Sequence, residues 1–571
     1  MVTLADIRRW NSGVLDDAFN QLGRMRDELV AQDDELAGAR NPEGWTGDAA
    51  LAAAAGHDRL SERLRRLVAA ISAVHRAVGE ASDAVIAIKH ALIAAEELAR
   101  AHGFTVRDNG AVDDVHPPVV PAGQIEDVKR ERAAILAEVV DRLEQVLRRA
   151  DDVDADLAAV LQQADSDRID DGTGMTLAGA VVAGAALGGL SVLAPPPSGS
   201  SGDHAGWWDS LSYHERTTVL QRHPGWVGNL DGIPAGVRDT ANRAVLRTQL
   251  SSVQAEITQL QSLVDEHSAG PVEARREAEA IRRLEVLHDR MDALRTVDRA
   301  LTQGGGDRQL LLLDVNRERP RAAIATGDVD TADHVAVFTP GMNTAVADDM
   351  GRDMADVEQL RRVAEDEALL YGDGGSVAAV TWIGYEPPTT EAQDLLGWEH
   401  NAANEAPAEE GGRDLASFLD GINASRDTDP HLTALGHSYG STTTGYALQE
   451  ASGVDDAVFF GSPGLSTDDI GELYLPAGHA HVIEAKDDWV ADLGRFGADA
   501  NQVDDVVSLS AKEETLPPPD GRQLGESTGH SDYLKPGTSS QYNVGVVVAG
   551  LPERRVHAES DGFGDVLRRL W

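Results

Sequence analysis

The sequence predicts an α/β domain, with a mostly parallel sheet covered by helices on both faces, preceded by an all-α helical hairpin. Three observations carry this prediction. Two apolar stripes with helical spacing fill the first hundred residues. From about residue 304, short continuous apolar runs alternate with helix-like stretches. Strands buried on both faces and their crossover helices read this way. One of the runs leads into a Gly-x-Ser-x-Gly pentapeptide, and a helix-compatible stretch follows it.

Composition narrows the function. At about 150 residues per domain, the 571 residues correspond to roughly two to four domains. Asp and Glu total 96 against 50 Lys and Arg, a formal net charge of −46. Such a chain repels nucleic acid and anionic membrane surfaces, whose phosphates need Lys and Arg, so no nucleic-acid partner is expected. The absence of cysteine excludes disulfides, a Cys nucleophile and Cys-ligated metals. No G-x-x-x-x-G-K-[ST] and no H-E-x-x-H occurs. The glycine-rich stretch Gly372 to Ser376 precedes a strand, so it reads as a loop and not a dinucleotide site. No metal or organic cofactor is expected.

Residues 1–110 read as a helical hairpin. Leu15, Ala18, Leu22, Met25, Leu29 and Leu36 mark its first helix. In the second, a seam runs from Leu60 through Ile71, Val78 and Val85 to Leu92 at alternating steps of four and three. Asn41-Pro42-Glu43-Gly44 signals the turn between them. The turn continues into Trp45-Thr46-Gly47, and a hairpin with Trp-x-Gly at its bend resembles the WXG-type proteins of type VII secretion. The plain alternative is a Trp that caps a two-helix core. The family's Tyr-x-x-x-Asp export signal has its nearest match at Phe104 to Asp108, with Phe in place of Tyr.

Residues 111–203 read as a helix, about Gln124 to Gln163, followed by a linker. The acidic run Asp165 to Gly172 is not a calcium loop, because Ile169 stands where a third oxygen ligand is needed. Thr176 to Ala194 is uncharged for 19 residues, close to membrane-spanning length. Its Ala/Gly content and the closing Pro195 to Pro197 favour a packed or flexible connector over a membrane-inserted helix. Met1 to Trp10 lacks a basic run followed by an apolar core, so no cleavable signal is expected. Residues 204–303 read as a helical region, broken by Gly304-Gly305-Gly306, that leads into the catalytic domain at 304–571.

The chemistry centres on Gly436-His437-Ser438-Tyr439-Gly440, after the run His431 to Leu435 and before Thr442 to Ala451. This is the strand–turn–helix context of a nucleophile elbow, so the domain is expected to have the α/β-hydrolase fold. A serine hydroxyl needs a base, and in this fold the order is Ser, then acid, then His. Past the run His481 to Ala485 come Asp487 and Asp488; further on, Gly529-His530-Ser531 supplies a loop histidine. His437 lies inside the elbow, where its side chain is expected to point away from the pocket, and His479 and His481 precede the acid. The amides of Gly341 and Met342, after the run Val335 to Phe338, are expected to form an oxyanion hole with that of Tyr439.

Several marks together resemble one family. They are Gly228 to Pro234 with Arg238-Asp239 and Ala241-Asn242-Arg243, Pro340-Gly341, Trp382 to Tyr385, the elbow with Ser441, Gly461 to Gly464, and Gly529 to Ser531. From about Trp207 to Tyr533 the chain resembles the actinobacterial α/β-hydrolase family known as domain of unknown function 1023. The resemblance implies a serine hydrolase, often with an N-terminal helical region, and leaves the substrate unassigned. An Asp-x-Val step often ends the acid strand in such enzymes, which favours Asp488, with Asp487 as the alternative.

The expected activity is that of an esterase or lipase-like serine hydrolase. Ser438, His530 and Asp488 are its triad, and its substrate is a small-molecule or lipid ester. Nothing in the sequence indicates the cleft of a peptidase. The alternative is a non-catalytic or exported interaction protein of type VII secretion, whose hairpin binds a secretion component or helical partner. The expected location is the cytoplasm, or outside the cell by a type VII-like route, and integral membrane insertion is not expected.

Overall fold

The computed structural model describes residues 1–571 except 40–43, 119, 121–124, 173–175, 266–270, 304–306, 318, 390–404, 452, 489, 492–502 and 559–571. The turn signal at Asn41 to Glu43 and the break at Gly304 to Gly306 therefore lie outside the described residues. The chain forms two compact units, 1–119 with 135–221 and 120–134 with 222–571.

The first unit is helical, with α1 (Leu4–Arg9), α2 (Ser12–Ala31), α3 (Asp33–Ala39) and the long α4 (Asp48–Ala101). A small hairpin, β1 (Phe104–Val106) and β2 (Val112–Asp114), leads to α5 (Ile125–Asp165), which belongs to this unit from Ile135 on, then α6 (Leu177–Leu187), α7 (Ser201–Ser210) and α8 (Tyr213–Arg222). Helices α2 and α4 lie together, with Phe19 stacked on His75 at 3.9 Å and Ser82 donating to Asp16 at 2.6 Å. The α4 seam is buried at Ile71, Val78, Val85, Ile88 and Leu92, whereas Leu60 and Leu67 are exposed. Trp45 is 48% exposed, so it does not cap a core.

The uncharged stretch forms the short helix α6, capped by Thr176 and packed on α4. A Cβ at Gly184 would lie 2.0 Å from the Ala69 carbonyl oxygen, and one at Gly188 would lie 2.0 Å from that of Ala73. Its small residues are thus explained by close helix approach. Among the described residues, no helix is long and apolar enough to cross a membrane.

The second unit has the α/β-hydrolase fold that the sequence predicts. Helices α9 (Ala235–Asp265) and α10 (Pro271–Thr302) precede β3 (Arg308–Asp314), β4 (Arg321–Thr326) and β5 (His334–Thr339). Then come α11 (Met350–Tyr371), β6 (Val377–Ile383), α12 (Ala406–Ala424), β7 (His431–His437), α13 (Tyr439–Leu448), β8 (Asp456–Phe460) and β9 (Ala480–Ile483). The described part closes with β10 (Val507–Leu509), β11 (Glu514–Thr515), β12 (Gln523–Leu524) and α14 (Ser539–Val548).

The eight-stranded sheet has the order β3-β4-β6-β5-β7-β8-β9-β10. β3 and β4 are antiparallel to their neighbours, and the rest run parallel. β5, β6 and β8 are buried along their whole lengths, which explains their continuous apolar runs. On one face, α12 and α13 cover Trp382, Phe459 and their neighbours; on the other, α11 and α14 cover Phe338 and Phe460. Helices α9 and α10 pack Leu246, Leu287 and Leu294 against Leu310, Leu313 and Ile324.

Several of the family-like marks have a structural role at the sheet's edge strand, β3. The Asn229 side chain donates to the Leu313 carbonyl and accepts from the Leu313 amide, both at 2.9 Å, as a neighbouring strand would. Asp239 accepts from the Leu310 amide at 2.7 Å, and Asn242 donates to the Leu310 carbonyl at 3.1 Å. Arg238 is buried and pairs with Asp231 at 2.9 Å. These contacts satisfy backbone groups that would otherwise leave an open edge.

Candidate active site

The parallel strands β5, β7, β8 and β9 end at one side of the sheet, where ligand sites of open α/β sheets form. Ser438 joins β7 directly to α13, with φ 55° and ψ −132°. A side chain rarely tolerates this conformation, and the surroundings enforce it. The Ser438 amide donates to the Phe460 carbonyl at 3.1 Å, and the Ser441 hydroxyl donates to the Ser438 carbonyl at 2.6 Å. The turn is tight enough to need glycine on both sides. A Cβ at Gly436 would lie 2.6 Å from the Ser441 Cα, and one at Gly440 would lie 2.2 Å from the Thr339 carbonyl oxygen.

The His530 imidazole reaches the hydroxyl, with Nε2 2.7 Å from Ser438 Oγ. Its Nδ1 lies 2.9 Å and 3.0 Å from the two carboxylate oxygens of Asp488. The loops that carry the two residues run alongside each other: Lys486 bridges Thr528, and the Gly529 amide donates to the Lys486 carbonyl at 2.7 Å. The structure therefore brings Ser438, His530 and Asp488 into one hydrogen-bonded chain. Asp487 is exposed. Its φ of 65° turns the chain so that only the second aspartate faces inward.

Asp488 is fully buried and makes further bonds. Oδ1 accepts from the Val490 amide at 3.1 Å, and Oδ2 accepts from the Tyr533 hydroxyl at 2.6 Å. Burial opposes its charge, but hydrogen bonds from His530 and Tyr533 outweigh that and hold its carboxyl below the usual range. Gly461 leaves room for the group. A Cβ there would lie 3.0 Å from Asp488 Oδ2 and 3.2 Å from His530 Cε1.

The loop after β5 lies against the serine. A Cβ at Gly341 would be 2.6 Å from the Ser438 Cβ and 3.0 Å from its Oγ. The Tyr385 hydroxyl holds this loop by donating to the Pro340 carbonyl at 2.7 Å, and Met342 packs against the core beneath it. Tyr439 opens α13 directly after the serine.

Reading the sequence alone missed two side chains. His437, expected only to point away from the pocket, instead packs against the base, with Nε2 2.8 Å from the His530 carbonyl oxygen and its ring 4.9 Å from the His530 ring. Tyr533 stands in the sequence only as the end of the family-like stretch, three residues after His530. No local pattern would have revealed either, since each acts on a residue far along the chain. Among the described residues, no group of three or more His, Asp or Glu is placed to hold a metal ion.

A hydroxyl hydrogen-bonded to an imidazole, itself held by a buried carboxylate, can lose its proton as it attacks an electrophile. Residues 316–498 match a family model described as alpha/beta hydrolase. An uncharacterized protein of Mycobacterium bovis is 32% identical over 253 residues, covering 42% of this chain and 90% of its own length. An uncharacterized protein of Mycobacterium tuberculosis is 29% identical over 307 residues, or 53% of this chain; the match spans only 45% of that relative. Among solved structures, a hyperthermophilic esterase from the archaeon Pyrobaculum calidifontis aligns with a TM-score of 0.28 at 12% identity, covering 46% of this chain and 92% of that one. The monoclinic form of a Pyrobaculum calidifontis esterase gives 0.29 at 13% identity, covering 51% and 97%.

Proposed function

The chain belongs to the alpha/beta hydrolase family, and from that membership we propose that it is a serine hydrolase that cleaves an ester through an acyl-enzyme. The observation that carries the reading is the 2.7 Å contact between Ser438 Oγ and His530 Nε2 at a strand–helix turn. Ser438 attacks the ester carbonyl, and His530 takes its proton. Asp488, bonded to Nδ1, fixes the tautomer and stabilises the imidazolium. The amides of Gly341, Met342 and Tyr439 receive the negative charge on the carbonyl oxygen. His530 then protonates the leaving alcohol, and water activated by the same imidazole releases the acid. No cofactor enters this cycle. A small-molecule or lipid ester is the proposed substrate, and cell-envelope esters are within that class.

The test is covalent labelling of the full chain with a fluorophosphonate, with Ser438→Ala and His530→Ala in parallel. Labelling of the wild type and its loss in both variants supports the reading. A folded wild type that takes up no probe overturns it.

A second reading is favoured by the exposed Trp45 at the hairpin's bend. In it the helical unit is a partner-binding module, of the kind used in type VII secretion, and the protein is exported without a cleaved signal. Fractionation of a secretion-competent host tests this, and recovery from cytosol alone counts against it.

A further inference from the structure

The Tyr533 hydroxyl has two partners. It accepts from the Ala485 amide at 2.9 Å and lies 2.6 Å from Asp488 Oδ2. An amide N–H can only donate, so the phenolic proton is directed to the carboxylate. The side chain is buried, with its ring 5.6 Å from that of Phe460 and 6.0 Å from that of His437. The geometry thus allows the hydroxyl a single orientation.

This bond competes with another. Asp488 Oδ2 also lies 3.0 Å from His530 Nδ1, while Oδ1 receives Nδ1 at 2.9 Å and the Val490 amide at 3.1 Å. The phenol and the imidazole therefore draw on one buried charge. A phenol that only anchored a loop would be served equally well by a backbone carbonyl. Here its acceptor is the group that holds the base.

We propose that Tyr533 is a positioning residue of this site: it locks the Asp488 carboxylate and, by sharing its charge, sets how strongly that carboxylate stabilises protonated His530. The proposal rests on the serine-hydrolase reading above. Burial and the bond to Asp488 push the Tyr533 phenol up, so it remains a donor throughout the working pH range.

The test is the pH dependence of fluorophosphonate labelling in the full chain. Tyr533→Phe removes one oxygen and keeps the ring. With the competing donor gone, the carboxylate acts undivided on His530, and the acid limb of the profile moves up by about half a unit or more. The labelling rate at its plateau falls by about tenfold, because a carboxylate rotamer is freed. Site-specific replacement of Tyr533 by difluorotyrosine strengthens the donor without changing the fold, and moves the acid limb down. Opposite shifts in the two variants support the proposal, since a merely structural role moves neither limb. Superimposable profiles overturn it. If Tyr533→Phe does not fold, the difluorotyrosine protein decides alone. The His530 imidazole proton resonance, read by NMR in the same proteins, needs no turnover. A wild type that never labels therefore sinks the hydrolase reading, while the resonance still reports whether Tyr533 acts on the Asp488–His530 pair. An unmoved resonance in both variants overturns the proposal.

Discussion

His437 donates from Nε2 to the backbone carbonyl of His530 at 2.8 Å, so the residue before the elbow serine holds the loop of the imidazole that faces that serine. The His437 ring also stacks on Phe460 at 5.4 Å. Burial, with His530 beside it, pushes His437 down to about 4, so at neutral pH it is an uncharged donor.

Replacing His437 by Phe keeps the ring and removes the donor. Fluorophosphonate labelling should slow by about fivefold, in line with the loss of one hydrogen bond of about 1 kcal/mol. The pH dependence has a sign. His437 resists protonation in the folded protein, so between its ordinary value of 6.5 and about 4 a falling pH favours the unfolded chain. The Phe variant should therefore lose less stability over that interval, as measured by denaturant unfolding at each pH.

Substitutions at the two adjacent aspartates should separate sharply. Asp488→Asn replaces the buried carboxylate at His530 Nδ1 by a neutral amide that no longer fixes the tautomer, and should lower the kcat of the proposed esterase by about 10⁴. Asp487→Asn alters an exposed side chain and should leave kcat within about twofold. Equal effects at both positions would contradict the assignment of the acid.

Gly341→Ala should cripple the site while the protein stays folded. The added methyl would sit 2.6 Å from the Ser438 Cβ, so the loop must move. A stability loss of about 1–3 kcal/mol is expected from such overpacking. The fall in kcat should exceed about 10²-fold if the amides of this loop form the proposed oxyanion hole. Thermal melts and ester turnover on one preparation give both numbers.

A second polar cluster ties the opposite ends of the strands. Asp456 lies 2.9 Å from His431, 3.0 Å from His479 and 2.8 Å from His481. Burial opposes the Asp456 charge, but the bonds from His431 and His481 outweigh it and hold its carboxyl far below the usual range. Burial likewise works against a charged His431, and Asp456 overcomes it and raises His431. The His431 contribution is therefore complete below its ordinary 6.5 and is lost as pH rises through the folded value. Asp456→Asn should reduce stability by about 3 kcal/mol or more, because it removes the buried charge that pairs with His431 and leaves one carbonyl oxygen for three imidazoles. It should also flatten the decline in Tm above neutral pH.

Salt should stabilise the fold. With a net charge of −46, the carboxylates repel one another. Raising ionic strength from about 0.01 M to about 1 M shortens the screening length from about 30 Å to about 3 Å and should raise Tm. A Tm that falls steadily over that range would show that ion pairs, and not self-repulsion, dominate.

Much of the fold was legible because its signals are local. The runs at β5, β6 and β8 are apolar throughout since both faces of each strand are covered, and periodicity reports that directly. β10 carries no such signal, because it is three residues long and only its last residue is buried. The helical seam is buried from Ile71 onward, as its spacing predicts. Leu60 and Leu67 carry the same spacing but are exposed. Spacing shows which face a residue occupies; whether another helix covers that face depends on the rest of the chain.

The sequence by itself determined the turn at Ser438. A strand, two glycines and a helix within a few residues leave that stretch one tight conformation. Only the tertiary structure shows that Asp488, and not Asp487, meets His530, and it alone revealed the contacts of His437 and Tyr533. Asp488 meets His530 42 residues on and Tyr533 45 residues on, and His437 meets the His530 carbonyl 93 residues on. Contacts at such separations are set by strand order and by how adjacent loops turn at the sheet's end. A left-handed φ at Asp487 is enough to exchange which of two neighbouring carboxylates faces inward.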